Sequence, residues 1–137
     1  SSLDSLNYVP PEELREASRG LGLFTGPGGL LLFDLRTPGF LRSMDGSVSV
    51  DETEDVFCLW RGRFDSELGA LRYGMDIFER EGALWRRSGE EHVEYAHEPD
   101  TLASWLAEEG FTDISVSKDG PIDGGGRVYF KAKRGTD

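Results

Sequence analysis

At 137 residues the chain can bury one ordinary core, although 37% hydrophobic content and 18 glycines leave room for many loops. Acids outnumber bases 26 to 15, and the net charge of −11 excludes partners gripped through phosphates, nucleic acid and anionic membrane alike. No apolar run approaches the roughly 20 residues that span a bilayer, and the lone Cys58 excludes an intrachain disulfide and a cysteine metal cluster.

The opening Ser1-Ser2-Leu3-Asp4 lacks the basic and apolar stretches of a signal peptide, so the expected setting is reducing and cytoplasmic, with no metal site. Pro10-Pro11-Glu12-Glu13 starts a helix, with proline and acids in its first turn. Leu14, Ala17 and Leu21 share one face of this helix over 11–21, and Gly20 and Gly22 offer its exit. Thr25-Gly26-Pro27-Gly28-Gly29 then turns into a strand at 30–34. The continuous run Leu30-Leu31-Leu32-Phe33, ending at Asp34, suits a parallel strand covered on both faces. Such a strand needs neighbours, yet only the helix and Asp4-Ser5-Leu6-Asn7-Tyr8 precede it. The chain thus reads as the second half of a cofactor-binding α/β domain. Arg36 to Gly46 reads as a loop.

Residues 47–97 change rhythm. Val56, Cys58 and Trp60 alternate with opposite-face residues, as do Leu71, Tyr73, Met75 and Ile77. Short segments at 83–87 and 92–97 repeat the pattern, which predicts an antiparallel meander with one wet face. Pro99-Asp100-Thr101 opens a second helix with Leu102, Trp105 and Leu106 as its buried stripe. Gly110-Phe111 closes it in the manner of a left-handed glycine cap. Ile114 and Val116 mark one strand; Val128, Phe130 and Ala132 mark the last, beyond the turn Asp119–Gly126. The chain is read as a single partial domain, 1–137, with 47–97 inserted in it.

This order, with four local patterns, resembles the C-terminal half of a class I S-adenosylmethionine-dependent methyltransferase of the small-molecule, sugar N-methyltransferase-like group. Asp4-x-x-Asn7-Tyr8 resembles the segment after the family's fourth strand. Pro27-Gly28-Gly29 with the run to Asp34 resembles the fifth-strand signature. Leu102-x-x-Trp105-Leu106-x-x-x-Gly110-Phe111 resembles the helix before the sixth strand, and Arg127-Val128-Tyr129-Phe130 the antiparallel seventh. The resemblance implies an α/β, partial Rossmann-like fold on the 5-7-6 side of the sheet. It also implies S-adenosylmethionine as cofactor of a longer parent and a small-molecule acceptor. The family's glycine-rich loop and ribose-binding acid have no counterpart here, so weak or no cofactor binding is expected of this chain alone.

In an open α/β sheet, reacting groups collect at the carboxyl ends of the strands, and methyl transfer rests on aligning nucleophile, methyl and leaving sulfur. On the resemblance, Asp4, Ser5, Leu6 and Asn7 border the methionine end of the cofactor, and Tyr8 stands at the transfer site. Asp34, Arg36 and Thr37 leave the next strand at the same end and, with Tyr73 from the insertion, are the acceptor-contacting candidates. His92 is the candidate general base, because histidine titrates near neutrality. On a meander, though, His92 and His97 equally suit cross-strand surface pairs. Trp60 and Tyr73 serve either as a lid or as packing of the small sheet, and Cys58 reads as a small buried hydrophobe.

The leading expectation is the acceptor-side half of a methyltransferase, inactive alone. A non-enzymatic interaction or ligand-binding module reusing the half-fold is the alternative. Removing the neighbours of strand 30–34 leaves an apolar edge, so a homodimer, or pairing with the missing N-terminal half, is expected.

Overall fold

A computed structural model describes residues 5–118 and 125–136. Asp4, proposed above as a cofactor contact, and most of the turn at 119–126 lie outside the described residues. The chain forms two units, one built from residues 1–40 with 95–137 and the other from 41–94, where the sequence predicted an insertion over 47–97.

The first unit opens with a short 3-10 turn, Ser5–Tyr8, followed by α1 (Pro11–Phe24), whose Pro11, Glu12 and Glu13 fill the first turn. β1 (Leu30–Arg36), β7 (Arg127–Arg134) and β6 (Phe111–Ser117) make a three-stranded sheet in the order β1-β7-β6, antiparallel at both junctions. Leu31, Phe33 and Leu35 from β1 and Val128, Phe130 and Ala132 from β7 point to one face. There they bury against Leu14 of α1 and against Leu102 and Leu106 of α3 (Pro99–Glu108). Phe33 and Phe130 are direct cross-strand partners with rings stacked 4.5 Å apart. A pair of this kind adds about 0.5–1.5 kcal/mol beyond its area.

Two expectations need correction in this unit. The apolar run is not covered on both faces: Leu30 and Leu32 stay 59% and 57% exposed, because they alternate away from α1 and α3. Among the described residues β1 pairs with β7, antiparallel, which is the 5-7-6 order expected for this side of the sheet. The segment after Arg36 is not all loop either, since Pro38–Ser43 forms a helical turn, α2. Thr37 Oγ1 accepts the Phe40 N–H, and Pro38 fills the first helical position, a start signal present in the sequence. Gly110, by contrast, takes the expected left-handed conformation at φ 92°.

The second unit is the meander. β2 (Val48–Glu52), β3 (Val56–Asp65), β4 (Ala70–Glu81) and β5 (Leu84–Tyr95) pair in that order. The two short segments expected at 83–87 and 92–97 are one strand, β5, which runs through Gly89 and stops before His97. Aromatic pairs tie β3 to β4: Phe57 packs edge-on against Phe78 at 5.9 Å, and Trp60 stacks on Tyr73 at 5.3 Å. Cys58 is half-buried rather than enclosed. Gly62 lies against the chain entering β2; a Cβ there would stand 2.5 Å from the Met44 carbonyl oxygen.

Candidate functional site

The predicted site residues of the first unit converge where β1 ends. Asn7, fully buried, is held by three hydrogen bonds to backbone. Its Oδ1 accepts the Arg36 N–H at 2.9 Å, and its Nδ2 donates to the carbonyls of Arg36 at 3.2 Å and Tyr95 at 3.1 Å. The side-chain amide thereby stands in for the backbone of a neighbouring strand at the end of β1. With the amide so occupied, any contact Asn7 makes with a ligand runs through its backbone. Tyr8 follows on the same turn and is 47% exposed. Ser5 is exposed, while Leu6 packs against the core.

His97 secures the same turn from the other side. Its Nε2 lies 3.2 Å from the Leu6 carbonyl oxygen and 2.9 Å from that of Val9. Carbonyls only accept, so Nε2 carries the proton of the neutral ring. Burial pushes the His97 pKa below its ordinary 6.5, opposed by these two carbonyls. The expectation of a surface histidine is therefore corrected: His97 is 4% exposed because it lies past β5, in the connection to α3. Sequence reasoning missed it because 92–97 was read as one alternating segment, whereas β5 stops at Tyr95. A shallow cavity of about 200 Å³ lies beside it, lined by Pro11, Leu14, Thr101 and Trp105 among others.

Asp34 is buried and takes a 2.6 Å ion pair from Arg127 on β7. Arg36 extends over the Phe40 ring at 5.3 Å, and Thr37 caps α2. His92 and Tyr73 belong to the second unit. His92 is exposed beside Glu90 at 3.3 Å, and Tyr73 stacks on Trp60. Among the described residues no cluster of three or more metal-ligating side chains occurs, and no helix is long and apolar enough to cross a membrane.

The glycines do not make a cofactor cradle. Gly28, at φ 75°, and Gly29 join α1 to β1, so they lead out of a helix and into a strand. A phosphate- or nucleotide-gripping loop runs the other way, from strand to helix N-terminus. Gly28 and Gly29 therefore do not form a loop of that kind.

This architecture is that of about half an S-adenosylmethionine-dependent methyltransferase. A crystal structure of one from Clostridium acetobutylicum superposes with a TM-score of 0.80 at 20% identity, over 98% of this chain and 56% of that one. A sugar N-methyltransferase from Streptoalloteichus gives 0.78 at 20% identity, over 97% and 53%. An amino pentose methyltransferase from Micromonospora echinaspora gives 0.77, also at 20% identity, over 96% and 55%. In sequence, the chain is 27% identical to a Geobacillus protein named a candidate methyltransferase, over 96% of this chain and 56% of that relative. The chain thus spans about half the length of the proteins it matches. No protein-family model matches it.

Proposed function

We propose that this chain is the acceptor-side half of a cytoplasmic methyltransferase that uses S-adenosylmethionine and modifies a small-molecule acceptor, an amino sugar being the class its structural neighbours favour. The observation that carries the reading is the match of nearly the whole chain to about half of each such enzyme. The cofactor supplies an activated methyl group; the residues here orient what receives it. Asn7 and His97 hold the 5–8 turn rigid, which fixes the direction of Tyr8 at the strand end where transfer would occur. Asp4, Ser5, Leu6 and Asn7 border the cofactor's methionine end, and Asp34, Arg36, Thr37 and Tyr73 contact the acceptor. His92 is proposed as the proton acceptor.

The test has two arms. Isothermal titration of the 137-residue chain with S-adenosylmethionine should give no binding in the micromolar range, because the family's glycine-rich loop and ribose-binding acid have no counterpart in its sequence. In a chain extended to the length of the relatives, Tyr8→Phe should reduce turnover at an unchanged melting temperature. Tight binding in the first arm, or equal activity in the second, overturns the corresponding half of the reading.

A further inference from the structure

The shallow cavity beside His97 lies wholly in the first unit, where two helices begin. Pro11 opens α1 and Glu98 directly precedes α3, and both line it. Its walls are mostly apolar, with Pro11 and Leu14 from α1 and Leu102 and Trp105 from α3. The Trp105 wall is braced, because Arg15 pairs with Glu108 and Glu109 and lays its guanidinium 5.8 Å from the ring centre. At about 200 Å³ the space suits a single aromatic ring, since an enclosed apolar cavity of about 150 Å³ takes up benzene. His97 supplies the polar contact. Its Nε2 proton is spent on the Leu6 and Val9 carbonyls, so the ring can offer the cavity only Nδ1, a lone-pair acceptor. Nδ1 has no hydrogen-bond partner among the described residues, although His97 is buried.

Charge narrows the ligand further. The positive ends of α1 and α3 disfavour a cation. The Glu98 carboxylate makes no cap bond to α3 and disfavours an anion, as does the net charge of −11. We propose that this cavity binds a small neutral aromatic molecule with one hydrogen-bond donor, of the phenol class, its ring against Leu14 and Trp105 and its hydroxyl on His97 Nδ1. The site stands apart from the strand end where methyl transfer is proposed, yet one imidazole joins the two. A donor at Nδ1 keeps the ring proton on Nε2. The bound molecule therefore strengthens the hold on the Leu6 and Val9 carbonyls, and with them on the turn that carries Tyr8.

Titration of the labelled chain with phenol, anisole, benzoate and benzylamine, followed by nuclear magnetic resonance, tests this. Phenol should bind saturably, with a dissociation constant of about 1 mM or tighter, and shift the backbone amides of 12–14 and 96–105. Anisole keeps the ring but not the donor and should bind roughly fivefold more weakly; benzoate and benzylamine should also fall below phenol. The His97 Nδ1 nitrogen resonance should move upfield with phenol alone, as an acceptor nitrogen does on taking a hydrogen bond. Hydrogen exchange at the amides of 6–9 should slow. Thr101→Phe, which sets a ring at the mouth of the cavity, should weaken phenol at least roughly fivefold. The Nδ1 resonance is read on the unaltered chain, so the test stands even where that substitution disturbs folding. Equal affinity for phenol and anisole, amide shifts confined to other elements or a stationary Nδ1 resonance overturns the site. Unaltered exchange at 6–9 overturns its link to the turn.

Discussion

At the scale of single residues, Asn7 has the most to lose. Asn7→Ala leaves the Arg36 N–H and the Arg36 and Tyr95 carbonyls without their partners at a fully buried position. Each stranded group costs about 1–3 kcal/mol, so a loss of roughly 3 kcal/mol in urea unfolding is expected; a change below about 1 kcal/mol would mean water takes over. His97 makes a prediction with a sign. Its folded-state pKa lies below the ordinary 6.5, so the unfolded chain takes up the proton first as pH falls. The stability it contributes is complete above pH 6.5 and declines from there down to the lowered folded value. His97→Gln should flatten that segment of the stability profile, with Glu98 and Tyr95 beside it kept intact; an unchanged slope assigns the dependence to another group. Sequence reasoning picked out Asn7 and Tyr8 through resemblance. It did not see what Asn7 does, because its partners lie 29 and 88 positions away. Nor did it see that Asp34 meets Arg127, a pair separated by 93 positions.

At the scale of elements, periodicity was informative wherever burial is one-sided. The meander, both long helices and the final strand follow from alternation or helical spacing. The reading failed where two signals coincide: a run such as Leu30–Phe33 looks the same whether its second face is covered or bare. The short α2 was hidden because six residues are too few to show a period, and only its Thr37-Pro38 start speaks for it. The meander has few enclosed side chains, so its tightest backbone approach should be its weak point. Gly62→Ala drives a Cβ to 2.5 Å from the Met44 carbonyl, which is backbone and yields little. A cost of about 1–3 kcal/mol is expected. Gly74→Ala, with nothing within 4 Å, serves as the paired control and should be near neutral. Equal effects of the two on the denaturant midpoint would show that the meander adjusts freely at Gly62.

At the scale of the whole molecule, exposed apolar surface sets behaviour in solution. Leu23 and Phe24 at the end of α1 are 76% and 92% exposed, and Leu30 and Leu32 add to them. Patches of this kind promote association. Light scattering at rising concentration should therefore give a mass above the 15.2 kDa of one chain. Leu23→Ser with Phe24→Ser should lower that mass. A constant 15.2 kDa species at micromolar concentration counts against self-association through residues 28–35 and α1.

The Asn7 amide also bears on how such chains diversify. Because it grips both Arg36 and Tyr95, the polypeptide leaves the first unit and re-enters it through one gate. Everything between is a closed loop whose ends are already tied. Closure entropy grows only with the logarithm of loop length, so doubling the enclosed segment costs about 0.6 kcal/mol. Less than one good hydrogen bond thus separates a short excursion from a long one. The first unit can host a lengthened, trimmed or replaced cassette between the same two anchors, with its own packing and its tyrosine-bearing turn left in place. Selection can remodel that cassette without renegotiating the frame.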